Sequence, residues 1–420
     1  MTRMHYRYWP ILAVLLWAGV SGADLPGPVV PDGLGVNIHF THPRPGEMRM
    51  LAASGLTWVR MDLLWAATEK TRGDYDFSGW NPLLAAVDRY HLRALLILDY
   101  GNSLYTGTPG NFPVSNVQRA AFTRWAAAAA RHFARQPVAF EMYNEPNGMG
   151  HATPQQYATL ALQVGRAIHK VNPAATYIGP ALSGMDDPWL VPSLKAGLLK
   201  QWAGVSVHPY RRGPPETVTA DYQKLSRLLA GYQPGGRVVP IISGEWGYST
   251  TWMRGDASRQ GQYLAREFLT NLADGIPLSI WYDWHDDGRD PNPQERHFGM
   301  VKFKYHAHRG AVYTPKPAYI ACRTLVAQLR GLRFVKRIAI GGPADYILLF
   351  AGKSRRVRVA WTTGSGKPEA SRAVRIPLSA GRYRCVDYLG KVIWTDALAG
   401  TSPPVRLSNG PIYISQFTRP

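Results

Sequence analysis

From about Gly33 to Leu329 the chain alternates short apolar runs with segments whose apolar residues recur every three or four positions. The runs Leu34–Ile38, Leu56–Met61, Ala94–Asp99, Val138–Tyr143, Thr176–Pro180, Ala203–Val207, Val238–Ser243 and Leu278–Trp281 predict eight strands. Several are unbroken apolar stretches, the pattern of parallel strands covered on both faces. The intervening segments carry helix signatures. Thr153-Pro154 reads as an N-cap followed by proline at the first helical position, and Tyr157, Leu160, Val164 and Ile168 then share one face. Helical patterns also cover Pro82–Leu92, Gln118–Ala134, Thr217–Leu229, Ala257–Ala273 and Ala318–Leu329. Eight strand–helix units in succession predict a (β/α)8 barrel, an α/β fold.

The pattern changes after Gly331. Phe334–Ile340, Tyr346–Ala351, Val357–Trp361, Val374–Pro377, Tyr383–Tyr388, Lys391–Thr395 and Ile412–Phe417 read as short strands separated by Gly, Ser, Asp or Pro. Such spacing predicts a small β-sandwich appended to the barrel. At the other end, Arg3 and Arg7 precede an apolar run from Tyr8 to Val20, and Ser21-Gly22-Ala23 supplies small residues for cleavage. This is the layout of a secretory signal peptide, with an uncleaved anchor as the other reading; the run is short for a membrane span. The expected organisation is a signal peptide over 1–23, a catalytic barrel over 24–330 and a β-sandwich over 331–420. The mature protein is expected in the periplasm or medium, with no membrane span.

Composition narrows the classes further. With 45% hydrophobic and 18% charged residues, the 420-residue chain describes a globular protein with a substantial core. Two cysteines, Cys322 and Cys385, exclude a disulfide framework and a cysteine metal cluster; they can pair after export or stay as buried thiols. Lys and Arg number 48 against 28 Asp and Glu, giving a formal net charge of +20. The charge is scattered, without a basic helix or nucleic-acid motif, so no nucleic-acid partner is expected. An anionic polysaccharide is one partner that fits; a plain effect on solubility is the other.

Catalytic groups of such barrels sit at the C-terminal ends of strands and in the loops that follow. The fourth predicted strand ends in Glu141-Met142-Tyr143-Asn144-Glu145-Pro146-Asn147, and the seventh in Ser243-Gly244-Glu245-Trp246-Gly247. Retaining glycoside hydrolysis requires two carboxyl groups about 5–5.5 Å apart, one to protonate the leaving oxygen and one to attack the anomeric carbon. Tips of strands four and seven face each other across the mouth. Two carboxylates at that separation repel by about 3 kcal/mol at an effective dielectric of about 20. That is about two pK units, enough to keep one of them protonated near neutrality.

The segments Asn144-Glu145-Pro146 and Gly244-Glu245-Trp246 closely resemble the acid/base and nucleophile motifs of clan A glycoside hydrolases. Within that clan the chain looks most like family 39 and its bacterial exopolysaccharide-associated relatives, over Gly33 to Ala321 and the appended β-domain. The resemblance implies a retaining glycosidase with Glu145 as acid/base and Glu245 as nucleophile, acting by double displacement and needing no cofactor. It also implies roles for neighbours. Arg60 resembles the arginine that supports the nucleophile, and Asn144 the asparagine that binds the sugar 2-hydroxyl. His208 and Tyr210 resemble a His-x-Tyr segment near the nucleophile, and Trp281 the aromatic floor beneath the reacting sugar. An ordinary salt bridge also accounts for Arg60, and satisfied core polar groups for His208 and Tyr210.

The stretch Trp281 to Asp290 is dense in Trp, Asp and His, but its spacing matches no metal loop. It reads as a sugar-binding loop in which Trp284 stacks on a pyranose; a divalent cation is the rival reading, and no metal ligand is assigned. Asp99, with Tyr100 and Asn102 beyond it, is a further candidate for sugar contacts or a loop anchor. Trp65, Trp246, His39 and His42 fit either packing or subsites, while Trp125, Trp189 and Trp202 fit core helices. A polysaccharide or oligosaccharide is thus the expected partner. Two rivals share these residues: a non-catalytic polysaccharide-binding protein and a transglycosidase.

Overall fold

The structure, a computed structural model, describes residues 25–148, 152–233, 235–290, 293–364, 373–398 and 402–416. The expected signal peptide lies outside the described residues. No described helix is long and apolar enough to cross a membrane.

Eight parallel strands close into a barrel in sequence order. They are β1 (Leu34–Asn37), β2 (Trp58–Leu64), β3 (Arg93–Asp99), β4 (Val138–Met142), β5 (Thr176–Ser183), β6 (Gly204–His208), β7 (Ile241–Trp246) and β8 (Ser279–Trp281). β1 closes on β8 through Leu34↔Ser279, Gly35↔Ile280 and Val36↔Trp281. Trp58, Leu95, Ala139, Ile178, Ile242, Leu278 and Ile280 form one buried cluster from six of the strands. Side chains alternate across a strand, so every second residue beyond this apolar floor also points inward. That parity sends Asn37, Arg60, Glu141 and Ser206 into the next layer up, and His39, Asp62, Asp99 and His208 into the layer above it. The apolar runs thus specify the barrel, and the polar residues that interrupt them furnish its mouth.

β2 and β5 outlast their predicted ends at Met61 and Pro180, because Asp62 and Ser183 are polar positions that face the mouth. The helices outside begin where their caps dictate. Ser115 with Gln118 and Thr153 with Gln156 form capping boxes at Asn116–His132 and Pro154–Val171. Helices Ala257–Ala273 and Pro317–Leu329 pack against each other and carry long buried faces.

Two short strands absent from the sequence reading, β9 (Val301–Tyr305) and β10 (Tyr313–Pro315), make an antiparallel hairpin between β8 and the last helix. The C-terminal region is an antiparallel six-stranded sheet in the order β11 (Arg333–Arg337), β12 (Asp345–Ala351), β13 (Arg356–Thr362), β18 (Ile412–Gln416), β15 (Gly381–Val386), β16 (Val392–Leu398). A second, two-stranded sheet of β14 (Ala373–Val374) and β17 (Val405–Arg406) completes a lopsided sandwich. Ile347, Ala360 and Ile414 face the small sheet with Val374 and Val405. Leu348, Val359, Trp361 and Tyr413, of opposite parity, join the barrel's own core. Cys322 and Cys385 are both buried free thiols.

Candidate active site

Arg60 organises the mouth. It is 1% exposed and donates through Nε to Glu141 Oε2 at 2.6 Å, through Nη1 to Glu245 Oε2 at 2.6 Å and Asn37 Oδ1 at 3.1 Å, and through Nη2 to Asn144 Oδ1 at 2.9 Å. Burial alone would lower its pKa, but the Glu141 and Glu245 carboxylates outweigh burial and raise it, so the cation is permanent. Glu141 is fully buried and also accepts from the Ser206 hydroxyl. A side chain at Gly244 would drive its Cβ to 2.1 Å from Ser206 Oγ and 2.8 Å from Glu141 Oε1. Glycine is therefore required for β7 to pass close enough that the next residue, Glu245, reaches Arg60.

The two candidate glutamates meet across this network. One oxygen of Glu145, one of Glu245 and a ring nitrogen of His208 all lie within 4.8 Å of one another. Glu245 is 14% exposed; its second oxygen, Oε1, accepts from the Tyr210 hydroxyl at 2.8 Å. Burial, and then the Glu245 charge, raise the Tyr210 pKa far above the phenol range, so this hydroxyl stays a donor. Glu145 is more open, at 31%, and its Oε1 lies 2.9 Å from His208 Nδ1. Burial would raise the Glu145 pKa; the hydrogen bond and charge of His208, then Arg60 and Ser183, outweigh it and hold the group below its ordinary value of 4.5. This is the reverse of the raised pKa that repulsion within the pair predicts for the acid.

Glu145 occupies a left-handed backbone conformation, φ +43°, which costs a non-glycine residue on the order of 1–3 kcal/mol. The surroundings hold it there. Its N–H donates to Ala181 O at 3.0 Å, its carbonyl accepts from Gly148 N at 2.8 Å, and Asn147 bonds Ser183 through both amide atoms. The strain turns the carboxylate from the end of β4 toward β7. Asn144 is fixed from both sides, receiving from Arg60 and donating through Nδ2 to the Tyr100 hydroxyl at 2.9 Å.

The structure thus brings Arg60, Asn144, Glu145, His208, Tyr210 and Glu245 into one hydrogen-bonded set. It does not bring the other expected residues to the open face. Asp99 is fully buried beside the Asp62 carboxyl, and burial, then the Asp62 charge, raise its pKa well above the carboxylate range. It backs Asp62 and has no exposed surface to offer a sugar. Trp281 is fully buried and donates to Phe298 O at 3.3 Å. Its neighbour Ile280 lines the barrel interior, so parity turns Trp281 outward into the core and presents Tyr282 at the mouth instead. Trp284 is 1% exposed and donates to Glu47 Oε1 at 3.3 Å beneath the β9–β10 hairpin. Neither ring is placed to stack on a sugar.

Residues that the sequence reading passed over complete the mouth: Asn37, Asp62, Glu141, Ser206 and Tyr282. Asn37 was legible as the end of β1, and the others follow from inward parity. Trp65, Trp246 and Asn102 are buried, while His39 stands at the rim. Besides the Glu145–His208–Glu245 set, His39, Asp283 and Asp287 offer donor atoms within 4.8 Å of one another, a spacing that a divalent cation can bridge.

The family model for cellulase (glycosyl hydrolase family 5) matches residues 47–288. Among solved structures, a family 39 glycoside hydrolase from the gut symbiont Bacteroides cellulosilyticus WH2 is 23% identical with a TM-score of 0.79, over 92% of this chain and 81% of that one. A family 39 β-xylosidase from Caulobacter crescentus is 16% identical with a TM-score of 0.68, over 94% and 97%. A family 39 enzyme from Xanthomonas axonopodis pv. citri is 17% identical with a TM-score of 0.67, over 94% and 95%. These likenesses establish a shared fold. No curated protein matches.

Proposed function

This chain belongs to the cellulase family (glycosyl hydrolase family 5), and from that premise we propose a retaining glycosidase acting on a polysaccharide or oligosaccharide. Within clan A the chain is most like family 39. The observation that carries the proposal is the approach of the two glutamates. Carboxylate oxygens within 4.8 Å suit direct attack on the sugar, whereas inversion needs about 6.5–9.5 Å to admit a water.

The unequal surroundings of the pair support separate roles for them. Glu245 is fixed in orientation by Arg60 and Tyr210. Its free electron pair attacks the anomeric carbon while Glu145 gives its proton to the departing glycosidic oxygen. The carbon–oxygen bond to the leaving group breaks, and a covalent glycosyl ester forms on Glu245. Glu145, now a carboxylate, takes a proton from water, whose oxygen displaces Glu245 and restores both groups. Asn144, polarised by Arg60, faces the same space and is placed to hold a hydroxyl of the reacting sugar.

Glu245→Gln tests the reading. It keeps the shape and removes the attacking carboxylate, so turnover of an aryl-glycoside panel should fall by at least about 10⁴-fold. Full activity in that variant would eliminate the mechanism.

A further inference from the structure

Beside the catalytic set lies a second concavity of opposite electrical character. A cleft of about 420 Å³ opens between the loop after β1 and the β9–β10 hairpin. Arg44, Arg289 and Lys304 line it, with His42 and His285. None of the three fixed cations forms an ion pair with a carboxylate among the described residues; Arg44 lies over the Tyr305 ring at 5.1 Å. Glu47 is the one carboxylate in the lining. It is 1% exposed and already accepts from Trp284 Nε1 and from the Arg44 backbone N–H. The field in the cleft is therefore positive.

His39 forms the wall shared with the catalytic mouth. Its Nε2 is 2.9 Å from Asn37 Nδ2, and Asn37 in turn accepts from Arg60, the support of Glu245. On the mouth side stand carboxylates: Asp283 and Asp287 lie 3.9 and 3.6 Å from His39 Nδ1, beyond Glu145 and Glu245. An acidic sugar at the reacting position would face Glu145, Glu245 and Asp287 in a confined space and be repelled. Asp283, 2% exposed and with its pKa raised by burial well above the carboxylate range, adds no such charge. In the adjoining cleft the same acid would meet the cations of Arg44, Arg289 and Lys304, with the lining carboxylate, Glu47, only 1% exposed. Unpaired cations are common on a chain of net charge +20, but here they line the same cleft as Phe303, a ring left 44% exposed. An aromatic ring sharing a cleft with guanidinium and ammonium groups is a surface that a carboxylated pyranose would match, the ring taking its apolar face and the cations its carboxylate.

We propose that this cleft is a subsite for an acidic sugar, a uronate, joined to the neutral sugar whose bond is cleaved. Its position relative to the reacting sugar rests on the glycosidase reading; its preference for a uronate does not.

The test measures binding in the full-length Glu245→Gln protein, where hydrolysis does not intrude. The probes are a β-1,4-linked glucuronate trimer and cellotriose, which differ only in the carboxyl groups. At about 20 mM salt the uronate trimer should bind about tenfold tighter, and raising salt to about 200 mM should shrink that ratio. Adding Arg44→Gln, Arg289→Gln and Lys304→Gln together should bring the ratio to about one, with melting temperature confirming the fold. Equal affinities in the parent, no binding of the uronate trimer, or a ratio that survives the triple change would each overturn the proposal. So would an oligothymidylate of equal charge binding as tightly as the uronate, since that marks a charge patch without sugar recognition. A wild-type chain that hydrolyses nothing yet keeps the preference counts against the reaction and supports the subsite.

Discussion

Arg60 and Arg266 are both 1% exposed and both bonded to buried glutamates, yet they are built to opposite ends. Arg266, on helix Ala257–Ala273, closes a fork on Glu216 through Nε–Oε1 at 2.7 Å and Nη2–Oε2 at 2.8 Å. Trp361 of β13 adds a third donor to Oε1 at 2.6 Å. That unit ties a barrel helix to the appended sheet and leaves neither carboxylate oxygen unpartnered. Arg60 instead spreads its donors over residues from β1, β4 and β7 and their loops, and Glu245 keeps one face open. A buried ion pair by itself marks no site. What distinguishes the mouth is a fixed carboxylate with unused capacity turned toward solvent.

The largest expected effect breaks the open arrangement. Arg60→Lys keeps the charge but replaces a planar fork of three nitrogens with a single ammonium nitrogen, which cannot reach Glu141, Glu245, Asn37 and Asn144 together. Glu245 loses its orientation, and kcat/KM should fall by about 10³-fold or more in steady-state assays of the protein below its melting temperature. The sealed arrangement should answer differently. Arg266→Met leaves Glu216 buried without its cation, so chemical denaturation should show a loss of about 3–5 kcal/mol. At temperatures where the variant is folded, kcat/KM should stay within about twofold of wild type. If Arg266→Met cut turnover as deeply as Arg60→Lys, the division between the two arginines would fail.

The two networks were also unequally legible in the sequence. Glu145 and Glu245 announced themselves because each follows an apolar run that only a buried strand explains, and strand tips of a barrel converge. Arg60 came in through the family resemblance alone, and its strand runs on to Leu64. The Glu216–Arg266–Trp361 unit carried no comparable signal. Its members lie 50 and 145 residues from Glu216 along the chain, on three unrelated elements, and periodicity says nothing about which helix face meets which sheet. Trp281 misled in a different way. An aromatic residue at a strand end reads the same whether it faces the mouth or the core, and only the register fixed by Ile280 separates the two. The β9–β10 hairpin was written plainly in the alternation Val301-Lys302-Phe303-Lys304-Tyr305, but strand signals beyond β8 have no place in a bare eight-fold repeat. The cleft it builds therefore emerges only in three dimensions.

The smallest effect, a displaced pH profile, probes the open network most finely. Glu145 must carry a proton to act as the acid, so kcat/KM should decline as pH rises through its pKa. Burial pushes that pKa up, while the His208 hydrogen bond and charge, Arg60 and Ser183 pull it down and prevail. Removing His208 takes away the strongest opponent of burial. His208→Leu should then move the alkaline limb of kcat/KM to higher pH, with the rate at the optimum about ten- to a hundredfold lower because strained Glu145 loses an anchor. His208→Asn retains a donor but no titratable ring, so its limb should fall between Leu and wild type. Arg266→Met lies outside this network and should leave the limb where it is. A limb that shifts toward acid in His208→Leu, or does not move, would mean that His208 does not hold the proton balance of Glu145. Because the sealed pair predicts no movement and the open one predicts a graded movement, the three profiles separate positioning of the acid from a general loss of rigidity, which would depress all rates without ordering the limbs.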